Sequence, residues 1–386
     1  MSVLRQSLVV SQLSLSSLRQ RFWSSLVVVI GMACVVGVLL SMLSTTTGMV
    51  RAFQNSGDPD RAIVVATLVH GDAKGGLTRE KIGTLLNAPG IARDPSGHAL
   101  ADGEVDQQLP PSAGFAEGTL LLRGVGSAGI ALRPNWRMVA GRMFRSGRHE
   151  VIAGIGAAQV FGVKVGDTIT TRQGEWPVVG EFSDGGGVLE SELVGDVESI
   201  MTTWKRPIYD SVVVRLASAT DFDAFQKWLT TNPALAVTAV RESDWYLQMS
   251  NHRTPFFTAM AYLVGAIMAL GALVGGMRIM YATVNSRTRE IATLRAIGYE
   301  AIPVAISVVV ECALLSVAGA MIGAFLAWLL FDGQHSSLGE SIFDLYVSPG
   351  LIAVGLSWAL LIAVLGGLLP AIRAARLSVA AAFRAE

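Results

Sequence analysis

The sequence predicts an α-helical membrane protein with four transmembrane helices and an α+β domain outside the bilayer. Three observations predict it. Four runs of uncharged residues are each long enough to cross a hydrocarbon core of about 30 Å, which takes about 20 helical residues. A polar stretch of alternating strand-like and helix-like segments, residues 51–253, separates the first run from the second. Basic residues also gather on one side of every run.

At 386 residues, 51% of them hydrophobic, the chain is too apolar for an ordinary soluble protein, yet too charged between its runs to lie wholly in a membrane. Thirty basic residues balance thirty acidic ones, so no global excess points to nucleic acid. Cys34 and Cys312 both lie in apolar runs and read as small buried hydrophobes, not as a disulfide or a metal site.

Residues 3–22 place Leu4, Leu8, Leu15 and Leu18 on a broadly common side, with Arg19, Arg21, Phe22 and Trp23 before the first run. They read either as an interfacial helix anchored by Trp23 or as a plain positive flank. Between Arg21 and Arg51 lie 29 uncharged residues, longer than a signal-peptide core and followed by no A-x-A site, which predicts a retained span. The second run has 24 residues between Arg253 and Arg278, and the fourth has 28 between Asp344 and Arg373. The third, Ala301 to Phe331, carries one charge, Glu311. The expected division is 1–50 for the N-terminal segment and first span, 256–284 for the second span, 300–331 for the third and 351–372 for the fourth. A cytoplasmic element at 285–299, an outer loop at 332–350 and a tail at 373–386 complete it. Residues 278–300 hold four arginines, the N-terminal segment holds Arg5, Arg19 and Arg21, and the tail holds Arg373, Arg376 and Arg384. The loop 332–344 holds three acids and no base. Positive-inside counting therefore puts both termini and the central loop in the cytoplasm and 51–253 outside.

Within 51–253, strands are predicted at 62–69, 99–109, 119–125, 211–216 and 236–241. Helices are predicted at 78–87 and 221–229, capped by Thr78 and Asp221. That β-α-β-β then β-α-β order suggests an α+β layer with helices on one face. The glycine-rich piece 132–207, with strands at 150–154, 167–171 and 176–182, reads as an inserted β-rich subdomain. It divides the rest of the domain into 51–131 and 208–243, and residues 244–255 read as a helical stalk.

The stretch that organises the chain is Asn285 to Tyr299, NSRTREIATLRAIGY, a short polar helix between two spans. Ser286 can cap it, Ile291, Leu294 and Ile297 recur at three-residue spacing, and Gly298 sits at the expected C-cap. In the second and third spans, Gly271/Gly275 and Gly319/Gly323 are small residues four apart that let helices approach closely, with flexibility the bland alternative. Glu311 is the one ionisable group inside a span, either a proton or substrate site or a hydrogen-bonded packing residue.

Enzymatic motifs are not met. No G-x-x-x-x-G-K-[ST] occurs, so the chain is not expected to bind ATP or its magnesium by itself. Gly154-Ile-Gly156 has Gln159 where a third glycine would fall, Ser127 has Val125 in place of the first elbow glycine, and His149-Glu150 has no second histidine at zincin spacing. No catalytic, cofactor or metal residues are assigned.

The segment SRTREIATLRAIGY, with VVVECALLSVAGAMIGAFLAWLL after it, resembles the membrane subunits of the MacB, LolC/LolE and FtsX type, the mechanotransmission ABC transporters. The likeness continues in SSLRQRFWSSLVVVIGMACVVGV, in LLPAIRAARLSVAAAFR, and in GRMF, EVIAGIGAAQVFGVKVGDTIT and WPVVGEF; ATLRAIGY is closest to DevC-like forms. The resemblance implies a porter-like exported fold with the small β insertion, a second permease subunit as homo- or heterodimer, and a cytoplasmic ABC ATPase dimer that holds ATP and magnesium. It implies that Arg287, Arg289, Glu290, Ile291, Leu294, Arg295, Ala296, Ile297 and Gly298 form the coupling helix. It further implies an inner-membrane location and work with a periplasmic adaptor and outer-membrane channel to export a hydrophobic or amphipathic substrate. Lipoprotein release and FtsX-like signalling to an extracytoplasmic hydrolase or sensor are the alternatives. MacB carries its ATPase fused at the N-terminus, whereas 23 residues precede the first span here, so the ATPase is expected on another chain.

Overall fold

A computed structural model describes residues 22–67, 76–109, 119–297, 300–338 and 341–376. The N-terminal segment up to Arg21, the coupling-loop residues Gly298 and Tyr299, and the tail beyond Arg376 lie outside the described residues. The chain divides into two compact units, one of residues 1–47, 255–332 and 346–386, the other of residues 48–254 and 333–345.

The elements run in order from helix α1 (Phe22–Ser56) to β1 (Arg61–Ala66), α2 (Arg79–Leu85), β2 (Ala101–Leu109), β3 (Leu120–Val125), α3 (Ser127–Ala131), β4 (Arg137–Gly141) and β5 (Val151–Gly154). There follow α4 (Ile155–Phe161), β6 (Thr168–Thr171), β7 (Gly174–Ser183), β8 (Leu193–Asp196), α5 (Val197–Thr203), β9 (Ser211–Arg215), α6 (Phe222–Thr231) and β10 (Val237–Arg241). Last come α7 (Glu242–Ser286), α8 (Thr288–Ala296), α9 (Ala301–Phe331), β11 (His335–Leu338), β12 (Ser341–Asp344) and α10 (Pro349–Ala375).

In the α/β unit one hydrogen-bonded path orders the strands β10-β1-β9-β2-β3-β8-β5-β7-β4, with β6 on β7. The pairing β3–β8, which aligns Leu122 with Leu193, is parallel and joins the strands of the inserted piece to the rest. Alternation along β1 sets the two faces: Ala62 and Val64 join Leu85 of α2 and Phe225 and Leu229 of α6 in the main core, whereas Ile63 and Val65 turn to Leu132 and Trp245. Both predicted helices thus cover one face, and the opposite face is closed by the start of α7. Thr78 caps α2 as expected, accepting from the Lys81 N–H at 3.3 Å. Asp221 does not cap α6. It sits in helical conformation inside a tight turn, Ala219–Asp221, whose first N–H bond is accepted by Ser218 instead.

One further correction concerns a loop. The stretch 332–350, expected as an outer loop, contains the hairpin β11–β12, in register from His335↔Asp344 to Leu338↔Ser341. Ile342 enters the α/β core, and the Ser191 hydroxyl accepts from its N–H (2.9 Å) while donating to its carbonyl (3.1 Å). Gly154-Ile-Gly156 is a packing motif: a Cβ on Gly154 would collide with the Glu190 backbone.

Among the described residues, four helices are long and apolar enough to cross a membrane: Phe22–Ser56, Glu242–Ser286, Ala301–Phe331 and Pro349–Ala375. The stalk expected at 244–255 is part of the same continuous helix as the second span. Their shared core is rich in alanine, with Ala320, Ala324 and Ala327 of α9 and Ala359 of α10 against Met32, Val36 and Leu40 of α1. The glycine pairs behave differently. A Cβ on Gly319 or Gly323 would strike the Val29 or Ala33 carbonyl of α1, so these two permit a close backbone approach. Gly271 and Gly275 meet no neighbour and line an apolar groove of about 340 Å³ with Gly31, Gly276, Cys312 and Gly366. Cys312 is buried, but Cys34 is exposed on α1, contrary to its sequence reading. Gly319→Leu or Gly323→Val is therefore expected to cost about 1–3 kcal/mol through overpacking, and Gly271→Ala less than about 0.5 kcal/mol. Thermal unfolding of the detergent-purified chain measures the difference.

Candidate functional site: the loop helix and its buried ion pair

A nine-residue helix such as α8 is marginal in isolation and needs borrowed packing. Ile291 and Ala292 supply it. Both are buried, and Ile291 packs in a cluster with Val284 of α7, Val304 and Val308 of α9, and Ala371 and Ala374 of α10. The helix is thereby held to three spans by one face. Arg289, Glu290, Thr293, Ala296 and Ile297 are exposed, Ile297 by 72%. Ile291 and Ile297, grouped by spacing, thus have opposite fates, because Ile297 lies past the last helical residue. The backbone of Leu294 and Arg295 belongs to α8. Ser286 is not the cap of α8: it ends α7, and its hydroxyl donates to the Thr283 carbonyl at 2.9 Å.

Arg287 stands at the junction of α7 and α8. Its Nε donates to Glu290 at 3.0 Å, and its Nη1 to Glu311 of α9 at 3.3 Å. The Arg287 and Glu311 side chains are 12% and 6% exposed, against 62% for Glu290. Sequence reasoning sought a partner for Glu311 inside another span and missed this one, which lies just beyond the end of a span. The available signal was Arg287 itself, a cation at the membrane edge with a side chain long enough to reach inward.

A second cluster of charges lies in the α/β unit. Glu104 accepts from Arg133 at 2.6 Å and from Arg123 at 3.0 Å, Arg123 also forks onto Glu192 at 2.6 and 2.9 Å, and Arg61 donates to Glu242 at 2.5 Å. Arg61 ties β1 to the start of α7, Arg123 ties β3 to β2, and Glu104, Arg123, Arg133, Glu192 and Glu242 line a cavity of about 250 Å³ with Trp245 and Tyr246. Burial alone would raise the Glu104 pKa, but Arg133 and Arg123 outweigh it and hold the carboxyl below its usual range. Asp102 fares otherwise: burial pushes it up to about 6, although it accepts the Gly126 N–H at 2.7 Å. Among the described residues no His, Cys, Asp and Glu group has a metal-binding arrangement.

Residues 22–232 match the MacB-like periplasmic core domain, and residues 262–379 match the FtsX-like permease C-terminal domain. The chain belongs to the MacB/FtsX-type ABC permease family. Macrolide export ATP-binding/permease protein MacB of Bdellovibrio bacteriovorus is 24% identical over 72% of this chain and 47% of its own length. MacB of Psychrobacter cryohalolentis is 27% identical over 50% of this chain and 31% of its own. Pyoverdine export ATP-binding/permease protein PvdT of Pseudomonas syringae pv. tomato is 35% identical over 33% and 19%. The chain thus spans less than half the length of these relatives. The periplasmic region of MacB from Actinobacillus actinomycetemcomitans aligns at 12% identity over 53% of this chain and 98% of that one, with a TM-score of 0.37. The extracellular domain of YknZ aligns at 17% over 47% and 99%, with a TM-score of 0.35. As a MacB/FtsX-type permease, the chain joins four membrane-length helices to a periplasmic-type α/β domain.

For Asp102, a folded-state pKa raised from about 4 to about 6 means the folded chain holds the proton more tightly. Stability from this group is therefore greatest at low pH and declines as pH rises from about 4 through 6, by about 1–3 kcal/mol in all. Asp102→Asn is expected to remove this decline, seen as the wild-type-minus-variant difference in unfolding midpoint between pH 5 and pH 8.

Proposed function

We propose that the chain is the permease subunit of an ABC exporter whose ATPase docks on the open face of α8. One observation carries this reading: a short helix pinned through Ile291 to three spans, with Ala292 buried beside it and Arg289, Glu290, Thr293, Ala296 and Ile297 left exposed. A pinned helix transmits a push, and an open polar face with one large apolar residue suits a partner protein. No phosphate-binding G-x-x-x-x-G-K-[ST] occurs in this sequence, so ATP and magnesium are assigned to a partner. The loop, the termini and the ATPase then lie in the cytoplasm, and the α/β unit lies in the periplasm. A second permease subunit, a periplasmic adaptor and an outer-membrane duct complete the machine. The relatives' names, macrolide export and pyoverdine export, support outward movement, and the reading assigns a hydrophobic or amphipathic substrate taken up from the periplasmic side.

The test is to isolate the tagged chain from membranes in mild detergent and identify what accompanies it. A Walker-A ATPase is expected with the wild type and, at least about tenfold reduced, with the double variant Arg289→Glu/Ile297→Asp, since interface energy concentrates in a few residues. Ile291→Asp is expected instead to lower the unfolding temperature, because it buries a charge in an apolar cluster. Absence of an ATPase from the wild-type preparation overturns the reading.

A further inference from the structure

We propose that the cavity of about 250 Å³ between the sheet and the start of α7 is a binding site for a small amphipathic amine, with Asp106 receiving its ammonium and Arg133 an oxygen beside it. The inference concerns the α/β unit by itself and does not depend on the docking reading above.

The cavity is built by period-two alternation. Ile63 and Val65 of β1, Val213 of β9, Glu104 and Asp106 of β2 and Arg123 of β3 come from four neighbouring strands and look to one side of the sheet. Register sets Ile63 opposite Val213 and Asp106 opposite Arg123. From β1 to β3 the wall therefore changes from aliphatic to charged. The start of α7 faces it with Trp245, Tyr246 and Met249. A molecule seated there has an apolar part against β1, β9 and Trp245 and a polar part against β2 and β3. The volume lies below the roughly 300–1,000 Å³ of pockets that bury a drug-sized ligand, so the occupant is small.

The charged end lacks one cation among the described residues. The Arg123 guanidinium serves three carboxyls: Glu104 at 3.0 Å, Asp106 at 3.1 Å and Glu192 at 2.6 Å. Arg133 adds one more positive charge, 2.6 Å from Glu104. The neighbouring pairs Arg61–Glu242 and Arg206–Asp210 each balance themselves. Three carboxyls thus face two guanidiniums, and Asp106 bears the shortfall. Its Oδ1 is enclosed without a hydrogen bond, although the side chain as a whole is 37% exposed. Burial pushes its pKa up to about 7, opposed by Arg123 and reinforced by Glu192, Glu104 and Asp210. An ammonium there takes the place of the proton that Asp106 otherwise holds. The faces of Trp245 and Tyr246 attract the same charge.

A second observation points to a ligand oxygen. The Arg133 side chain is 4% exposed, and its Nη1 and Nη2 donate to the Gly129 carbonyl and to Glu104, but its Nε–H meets no acceptor among the described residues. A buried donor in the wall of a polar cavity calls for an oxygen. A carboxylate or phosphate would meet it but add to the surplus of negative charge, so the oxygen belongs to a hydroxyl or carbonyl.

The experiment titrates the full chain in mild detergent with phenylalaninol, which carries a phenyl ring, an ammonium and a hydroxyl, and follows the heat by calorimetry. Phenylpropanol, which lacks the ammonium, and phenylpropionate, which is anionic, are the comparisons. Asp106→Asn and Val65→Trp, the latter filling the apolar end of the cavity, are titrated beside the wild type in the same micelles, so that partition into detergent cancels. Phenylalaninol is expected to bind the wild type at least about tenfold more tightly than either comparison, and Asp106→Asn to lose that preference. Val65→Trp is expected to bind none of the three. Phenylalaninol that binds no better than phenylpropanol, or as well to Asp106→Asn as to the wild type, overturns the assignment, as does a preference for phenylpropionate. Where Asp106→Asn does not accumulate, undiminished binding to Val65→Trp overturns it equally. Binding of no probe to the wild type leaves the cavity to water and also overturns it.

Discussion

Helices in hydrocarbon satisfy their own backbone but gain no hydrophobic drive to find one another, since lipid tails are as apolar as leucine. What holds the membrane unit together is thus close approach, and its seam is built from small residues. Gly319 and Gly323 let α9 come against the Val29 and Ala33 carbonyls of α1, and alanines 320, 324 and 327 continue the contact. The large side chains Leu263, Ile267, Leu326, Leu329, Leu361 and Leu365 remain on the outside, where lipid solvates them. Three serine hydroxyls within the spans follow the same constraint, although Thr46 Oγ1 of α1 is buried without a hydrogen bond. Ser41, Ser44 and Ser307 each donate to a carbonyl one turn back, at 2.8 Å, and so present no unmet donor.

Glu311 cannot be satisfied in that way, because a carboxylate is acceptor-only and its own helix has no N–H to spare. One of its oxygens accepts from Arg287, just past the end of the neighbouring span and next to the start of α8. Ile291 and Ala292 then fix the rest of that helix in the angle between the spans. The outward face of α8 is a by-product of the same arrangement: with one side committed to apolar packing, the charged side has only solvent or a partner to meet.

The α/β unit solves a different problem with ordinary means. Its sheet has two faces to cover, and period-two alternation along β1 and β9 assigns each residue to a side. Helices α2 and α6 cover one side, and the first turns of α7 cover the other through Trp245. Buried arginines and carboxylates take the places that apolar residues leave, and each of Arg61, Arg123 and Arg133 reaches a carboxylate at 3.0 Å or less. Such networks add little net stability but define one arrangement of the elements they join.

Periodicity and composition act through near neighbours in the chain, and whatever depends on near neighbours was legible. The four spans, the strands β1, β2, β3, β5, β6, β7, β9 and β10, the Thr78 cap and the existence of a helix between the second and third spans all belong to that class, whereas β4 and β8 carried no local signal that was read. So does family membership, which rests on linear motifs such as SRTREIATLRAIGY. Contacts between residues far apart in sequence were not legible, because spacing along a chain does not say which partner a side chain meets. Gly271/Gly275 and Gly319/Gly323 have the same spacing, yet only the second pair packs within the chain. Ile291 and Ile297 share a predicted face, yet only Ile291 is buried. The Ser191 lock on Ile342 joins residues 151 positions apart, and the pairing of Glu311 with Arg287 required knowing that a span's edge and a neighbour's interior lie side by side. The sequence alone settled that this is a membrane permease with an α+β domain; only the tertiary structure decided which of its polar and small residues meet, since that depends on distances in space that no local pattern encodes.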